Sequence, residues 1–145
     1  MKMKILIMCL TWVHALSQPS RKDGWDLFAR VKFETKFDKE VNGYFLVPVF
    51  DQKIKSLAGT EIELKGYYMP VETERNQLII SRSPYSSCFF CGGAGPESIA
   101  EVMLKGKSPK LEVDQIITVK GKLKLNDKDV NHMNFILIDA EIVTE

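Results

Sequence analysis

The sequence predicts one small, mainly β domain, closed as a barrel or stacked as a sandwich. Three observations support this. Apolar and β-branched residues alternate with polar ones over short runs near residues 60–69, 78–81 and 116–125. Polar, turn-forming breaks separate those runs at 72–76 and 126–129. The last run, Met133 to Val143, is partly apolar on both faces, as a strand in a closed or two-layered sheet is.

The chain begins Met-Lys-Met-Lys, and a short apolar stretch from Ile5 to Val13 leads to small residues at Ala15 and Ser17. That order is the order of a secretory signal, with cleavage expected after Ser17. The stretch is too short to span a bilayer comfortably, and Cys9 lacks the small preceding residues of a lipidation site. The expected location is therefore exported, periplasmic or otherwise extracytoplasmic. The expected organisation is a signal over 1–17, a lead-in with extra strands over 18–49, and the β domain over 50–145.

Cleavage would remove two of the 20 basic residues and none of the 19 acidic ones, leaving a charge of about −1. Such a balance offers no electrostatic attraction to nucleic acid or to an anionic membrane. It would also remove Cys9 and His14, leaving one histidine, His132, and one pair of cysteines, Cys88 and Cys91. An oxidising compartment would then leave no odd thiol.

After a polar lead-in to Gly24, an apolar segment begins at Trp25, Leu27 and Phe28, and Val31, Phe33 and Thr35 alternate against lysine and glutamate as in a half-buried strand. Asn42-Gly43 is a turn, and Tyr44 to Phe50 reads as a strand that Pro48 restricts to an edge or a bend. Asp51 can cap a short helical turn ending before Gly59. From Thr60 to Met69, Ile62, Leu64 and Tyr68 follow a strand pattern, with Gly66 suited to a bulge or a close backbone approach. The loop 72–76 turns the chain into Leu78–Ser81 as an antiparallel neighbour. Pro96 leads through a short turn into a strand in which Ile99, Glu101 and Met103 oppose Ala100, Val102 and Leu104. Along 116–125, Val119, Gly121, Leu123 and Leu125 share one face while Lys120, Lys122 and Lys124 form a solvated, aggregation-resistant face.

The distinctive segment runs from Ser81 to Ser98 and contains Tyr85, Cys88-Phe89-Phe90-Cys91 and Gly92-Gly93-Ala94-Gly95 between Pro84 and Pro96. Three glycines allow unusual backbone angles, and two prolines stiffen its ends. An ordered surface loop folded over one end of the sheet is expected. Within it, one phenylalanine would plug the adjacent barrel end and the other would remain exposed, with Tyr85, as a contact surface.

Cys88 and Cys91 admit three chemistries. Export favours a structural disulfide across the two intervening residues. Two thiolates can also embrace zinc or copper, but one such pair fills half of a tetrahedral shell. His132 could supply a third ligand from the turn after Asn126-Asp127-Lys128-Asp129, although a histidine there is ordinarily just solvated. Glu97 and Glu101 are poorer ligands for a soft ion, and a homodimer could complete the shell with four thiolates. Thiol–disulfide exchange is the third chemistry, and it requires an exposed, low-pKa Cys88. Against it, glycines follow Cys91 where redox motifs start a helix.

No phosphate loop, serine triad or paired-carboxylate spacing stands out. The segment Leu57-Ala58-Gly59-Thr60-Glu61-Ile62-Glu63-Leu64-Lys65-Gly66-Tyr67-Tyr68-Met69-Pro70, followed by the cysteine-bearing loop, resembles small exported bacterial OB-like proteins of unknown function. The likeness spans roughly residues 50–143. It implies an OB-like five-stranded barrel with extra N-terminal elements, and it carries over no catalytic role. The expected function is a non-enzymatic exported module that binds a small ligand or another exported protein through the Cys88–Cys91 end. A thiol–disulfide oxidoreductase is the alternative, and a single-stranded nucleic-acid module is a third reading suggested by the barrel alone.

Overall fold

The computed structural model describes residues 22, 24–71, 73 and 76–143. The signal segment and all of the polar lead-in except Lys22 and Gly24 lie outside the described residues. The chain forms, in order, α1 (Gly24–Phe28), β1 (Lys32–Asp38), β2 (Gly43–Val49), α2 (Gln52–Lys55), β3 (Glu61–Met69), β4 (Gln77–Ser81), β5 (Ile99–Leu104), β6 (Ile116–Leu125) and β7 (Phe135–Val143). Three single 3-10 turns, Tyr85–Ser87, Phe89–Cys91 and Pro96–Ser98, shape the loop between β4 and β5. No helix among the described residues is long and apolar enough to cross a membrane.

Strands β3, β4, β5, β7 and β6 close, in that order, into the five-stranded, OB-like barrel. Every pairing is antiparallel except β5 with β7, which is parallel. Closure gives each strand two neighbours, so the main-chain groups of the barrel wall are met within the sheet. Alternation decides what lies inside. Ile62, Leu64, Leu78, Ile80, Ala100, Val102, Val119, Leu123, Phe135 and Leu137 form the interior core. Lys120 and Lys122 point out to Glu61 and Asp139, at 2.9 and 3.2 Å.

Two glycines are placed by contact. A Cβ on Gly66 would stand 2.7 Å from the Ser81 carbonyl oxygen, so close approach, rather than a bulge, accounts for it. Gly121 faces a bulge in β7: Lys120 pairs with Glu141 and Lys122 with Ile138, so β7 carries an extra residue there. Asp139, at φ +50°, absorbs that residue. Parity therefore flips along β7, with Phe135 and Leu137 facing inward before the bulge and Ala140 and Ile142 after it. The irregular alternation of the final strand has this cause.

The N-terminal elements divide. Helix α1 belongs to the barrel core: Phe28 is fully buried and stacks on Phe135 with ring centroids 3.9 Å apart. Gly24 lies against the Leu64 side chain, with no space for a Cβ. Asp51 caps α2 by accepting from the Ile54 N–H at 2.9 Å, and α2 adds Ile54 to the same core. The core thus draws on both sides of Phe50. By contrast, among the described residues β1 and β2 pair only with each other, as a two-stranded ribbon from Lys32↔Val49 to Asp38↔Gly43. Pro48 sits on this ribbon, in keeping with its restriction to edge strands.

Candidate functional site

The Ser81–Ser98 loop is held by its own backbone. The Cys88 carbonyl accepts from Cys91 and Gly93, and Phe89 accepts from Gly92, at 3.0–3.2 Å. The Tyr85 N–H donates to Asp114 at 2.7 Å, and the Arg82 N–H to Ser98 at 2.8 Å, which ties the loop to the sheet. Gly92 adopts φ +73°, and a Cβ on Gly93 would lie 2.8 Å from the Ser87 backbone. Gly95 begins the Pro96–Ser98 turn, where Ser98 Oγ donates to its carbonyl at 2.7 Å.

This loop lies elsewhere than the expected sheet end. Cys88 is 0 % exposed and packs with Met69, Ile79 and Ile99, residues on the outward faces of β3, β4 and β5. Phe89 is half-buried against that outer cluster, while Phe90 is 44 % exposed, its ring edge-on to Phe89 at 5.6 Å. The two rings are therefore unequal, as expected, but neither plugs the barrel. Phe28 fills that interior from α1, and strand parity leaves apolar Met69, Ile79 and Ile99 outside for the loop to cover.

Cys88 and Cys91 are free thiols whose Sγ atoms lie 3.8 Å apart, Cys88 buried and Cys91 exposed. The hydrogen bond between the thiols, with smaller contributions from burial and from the Cys88 charge, raises the Cys91 pKa above the ordinary thiol value. A thiol-exchange site needs an exposed attacking thiol at Cys88, and Cys88 is buried. Among the described residues, no third histidine, cysteine, aspartate or glutamate joins them in a group able to hold a metal ion. This donor set does not fit a tetrahedral zinc or copper site within one chain.

The structure gives His132 a different partner from the cysteines. Its Nδ1 lies 2.9 and 3.1 Å from the two carboxylate oxygens of Glu101, and the Met133 N–H donates to the same carboxylate at 3.1 Å. Glu101 points outward from β5 between Ile79 and Ile136, yet it is only 4 % exposed, because the 126–134 turn folds over it. Two donors meeting it there offset the cost of burying a carboxylate. The carboxylate occupies the Nδ1 side of the ring and so orients the imidazole. Asp129 Oδ2 is 4.0 Å from Nε2. The Asn131 backbone N–H holds the Asp129 carboxyl below the usual range, opposed by desolvation and helped by the Asn131 side chain. Asn126 braces the turn by donating to the carbonyls of Asp129, His132 and Met133.

A groove of about 710 Å³ joins these parts. One wall is the ribbon, chiefly Tyr44 to Pro48 of β2; the other holds Phe89, Ile99, His132 and Met133 beside the 126–134 turn. The ribbon is strongly apolar for an exposed element, with Tyr44 75 % and Leu46 51 % exposed. Sequence reading singled out the loop and His132 but missed Glu101 as its partner and the ribbon as a wall. The available signal was an acid set among outward apolar positions, Ile99-x-Glu101-x-Met103. No protein-family model matches the chain, and a search of curated proteins finds no relative.

Proposed function

We propose that the chain is a non-enzymatic binding module of an exported protein, and that its binding site is the groove between the ribbon and the Cys88–Cys91 side of the barrel. The observation that carries this reading is the groove itself. Its size suits a ligand or peptide segment, and its lining combines aromatic surface with one oriented polar group, His132 held by buried Glu101. In this reading the cysteine loop is a support. Cys88 anchors it on the outer wall, and Phe89 presents an apolar surface to the groove. In an oxidising compartment the thiol pair closes to a disulfide by exchange with an oxidant disulfide, which leaves as a dithiol. The proposal includes kinship with the small exported OB-like group, suggested by the Leu57–Pro70 segment.

The test is a fragment and peptide screen by amide chemical-shift mapping on the mature protein. Hits should move Phe45, Phe89, Ile99, His132 and Met133 together, and Phe89→Ala should weaken them. Hits scattered over the barrel, or confined to its far side, would remove the groove as the site. A thiol count and a mass measurement on protein from its native compartment test the bridge: two free thiols would refute it.

A further inference from the structure

The ribbon differs from every barrel strand in having open edges. Among the described residues β2 pairs with β1 alone, and Pro48 faces Phe33 across that ladder. Proline has no N–H to exchange, so Pro48 occupies the type of antiparallel pair whose main-chain groups point away from the neighbouring strand. Tyr44 and Leu46 share its parity. Their N–H and C=O groups, with the Pro48 C=O, therefore point to the outer edge of β2, and no second strand among the described residues pairs with that edge.

That edge borders the groove. Tyr44, Phe45, Leu46, Val47 and Pro48 line it consecutively, although successive side chains of a strand point to opposite faces. A groove under one face of the ribbon would touch alternate residues; one running along the strand touches all five. β1 reaches it only at Lys36, Phe37 and Asp38, near the hairpin tip.

We infer that the groove takes an extended polypeptide segment of a partner protein, added as a third strand to the open edge of β2. This rests on the reading of the groove as the binding site. Unpaired donors and acceptors alternating along a strand match another polypeptide backbone in extended form. The 126–134 turn walls the opposite side of the groove. Occupancy is thus limited to a single chain, which excludes the edge of a second folded sheet. At about 3.4 Å per residue, the five groove-lining residues of β2, Tyr44 to Pro48, accommodate four or five residues of the segment. Its side chains meet Phe89, Ile99 and Met133. Three carboxylates along the groove, Asp38, Asp127 and Asp129, face two ammonium groups, Lys36 and Lys128, so a neutral or basic segment fits better than an acidic one.

The probe is a displayed library of random nonapeptides, selected on the mature chain, with the tightest binder synthesised and titrated by calorimetry. Leu46→Pro removes the central edge donor at a position of the same parity as the natural Pro48, so the β1 ladder persists, as slow amide exchange at Phe45 and Val47 will show. Strand addition predicts about tenfold weaker binding to L46P, and a similar loss when alternate peptide residues of one parity, but not the other, are N-methylated. Binding that survives L46P but falls with Phe89→Ala overturns strand addition and leaves the groove reading intact. Binding indifferent to both variants overturns both. Failure to select any binder overturns the peptide assignment. Concentration-dependent dimerisation of the chain abolished by L46P would make a second copy the occupant and overturn the single-segment assignment.

Discussion

The barrel and the β1–β2 ribbon are built from similar strand chemistry and end in opposite conditions. In the barrel each strand has two neighbours, and inward positions such as Ile62, Leu64 and Val102 are buried to about 1 % exposure or less. In the ribbon each strand has one neighbour among the described residues, and Phe37, Tyr44, Leu46 and Val49 all remain substantially exposed. An isolated two-stranded hairpin is marginal in water. Stability therefore resides in the closed sheet, and the ribbon is left as surface available for contact. The groove lies where the two regions meet.

The sharpest test of that division compares two aromatic truncations. Phe28→Ala, which empties the site stacked on Phe135, should destabilise the protein by about 3–5 kcal/mol, whereas Tyr44→Ala on the ribbon should change stability by no more than about 0.5 kcal/mol. Denaturant unfolding of the two variants measures the difference. Equal losses would show that ribbon and barrel unfold as one cooperative structure.

The outer wall should fall between them. Glu101→Leu leaves His132 Nδ1 and the Met133 N–H without their shared acceptor, at an expected cost of about 1–3 kcal/mol. The same unfolding assay reads it, and unchanged stability would mean that the 126–134 turn settles without Glu101. Gly121→Val, which drives a side chain against Ala140 and the Ile138 carbonyl, should cost a similar amount, about 1–3 kcal/mol, through overpacking at the bulge.

Phe89 and Phe90 refine the comparison within one loop. Phe89→Ala should lower the melting temperature measurably, because the ring is half-buried against Met69, Ile79 and Ile99. Phe90→Ala should leave the melting temperature within error and act, if anywhere, on association. Equal shifts in melting temperature would remove the distinction.

The smallest effect concerns pH at the turn. Asp129 has its folded pKa depressed, chiefly by the Asn131 N–H, so its contribution is present above the unfolded carboxylate value and is lost as pH falls through the lower folded value. Asp129→Asn should therefore narrow the stability difference between neutral and acidic solution slightly. An acid limb identical to wild type would show that the turn carries none of it. Cys91 has the opposite sense. Its raised pKa means that the reduced pair's contribution is present below the ordinary thiol value and is lost as alkaline pH passes the folded one.

What the sequence determined by itself was local and periodic. Alternation placed β3 to β7 and assigned Lys120, Lys122 and Lys124 outward; Asp51 announced the cap of α2; and the asymmetry of Phe89 and Phe90 was legible from their confinement between two cysteines. These follow from backbone geometry and side-chain parity, which act over a few residues. Tertiary structure alone decided which surfaces met. Phe28 and Phe89 are equally apolar, but only strand closure reveals that α1 reaches the barrel interior while the cysteine loop reaches the outside. Glu101 and His132 are 31 residues apart and lack a shared motif; the parallel β5–β7 pairing carries the turn before β7 over Glu101. The bulge at Asp139 likewise emerges only from pairing, since one extra residue shifts parity against a neighbour and not against the chain itself. Long-range register is the quantity a single strand's pattern does not contain, and here it decides both what fills the barrel and what lines the groove.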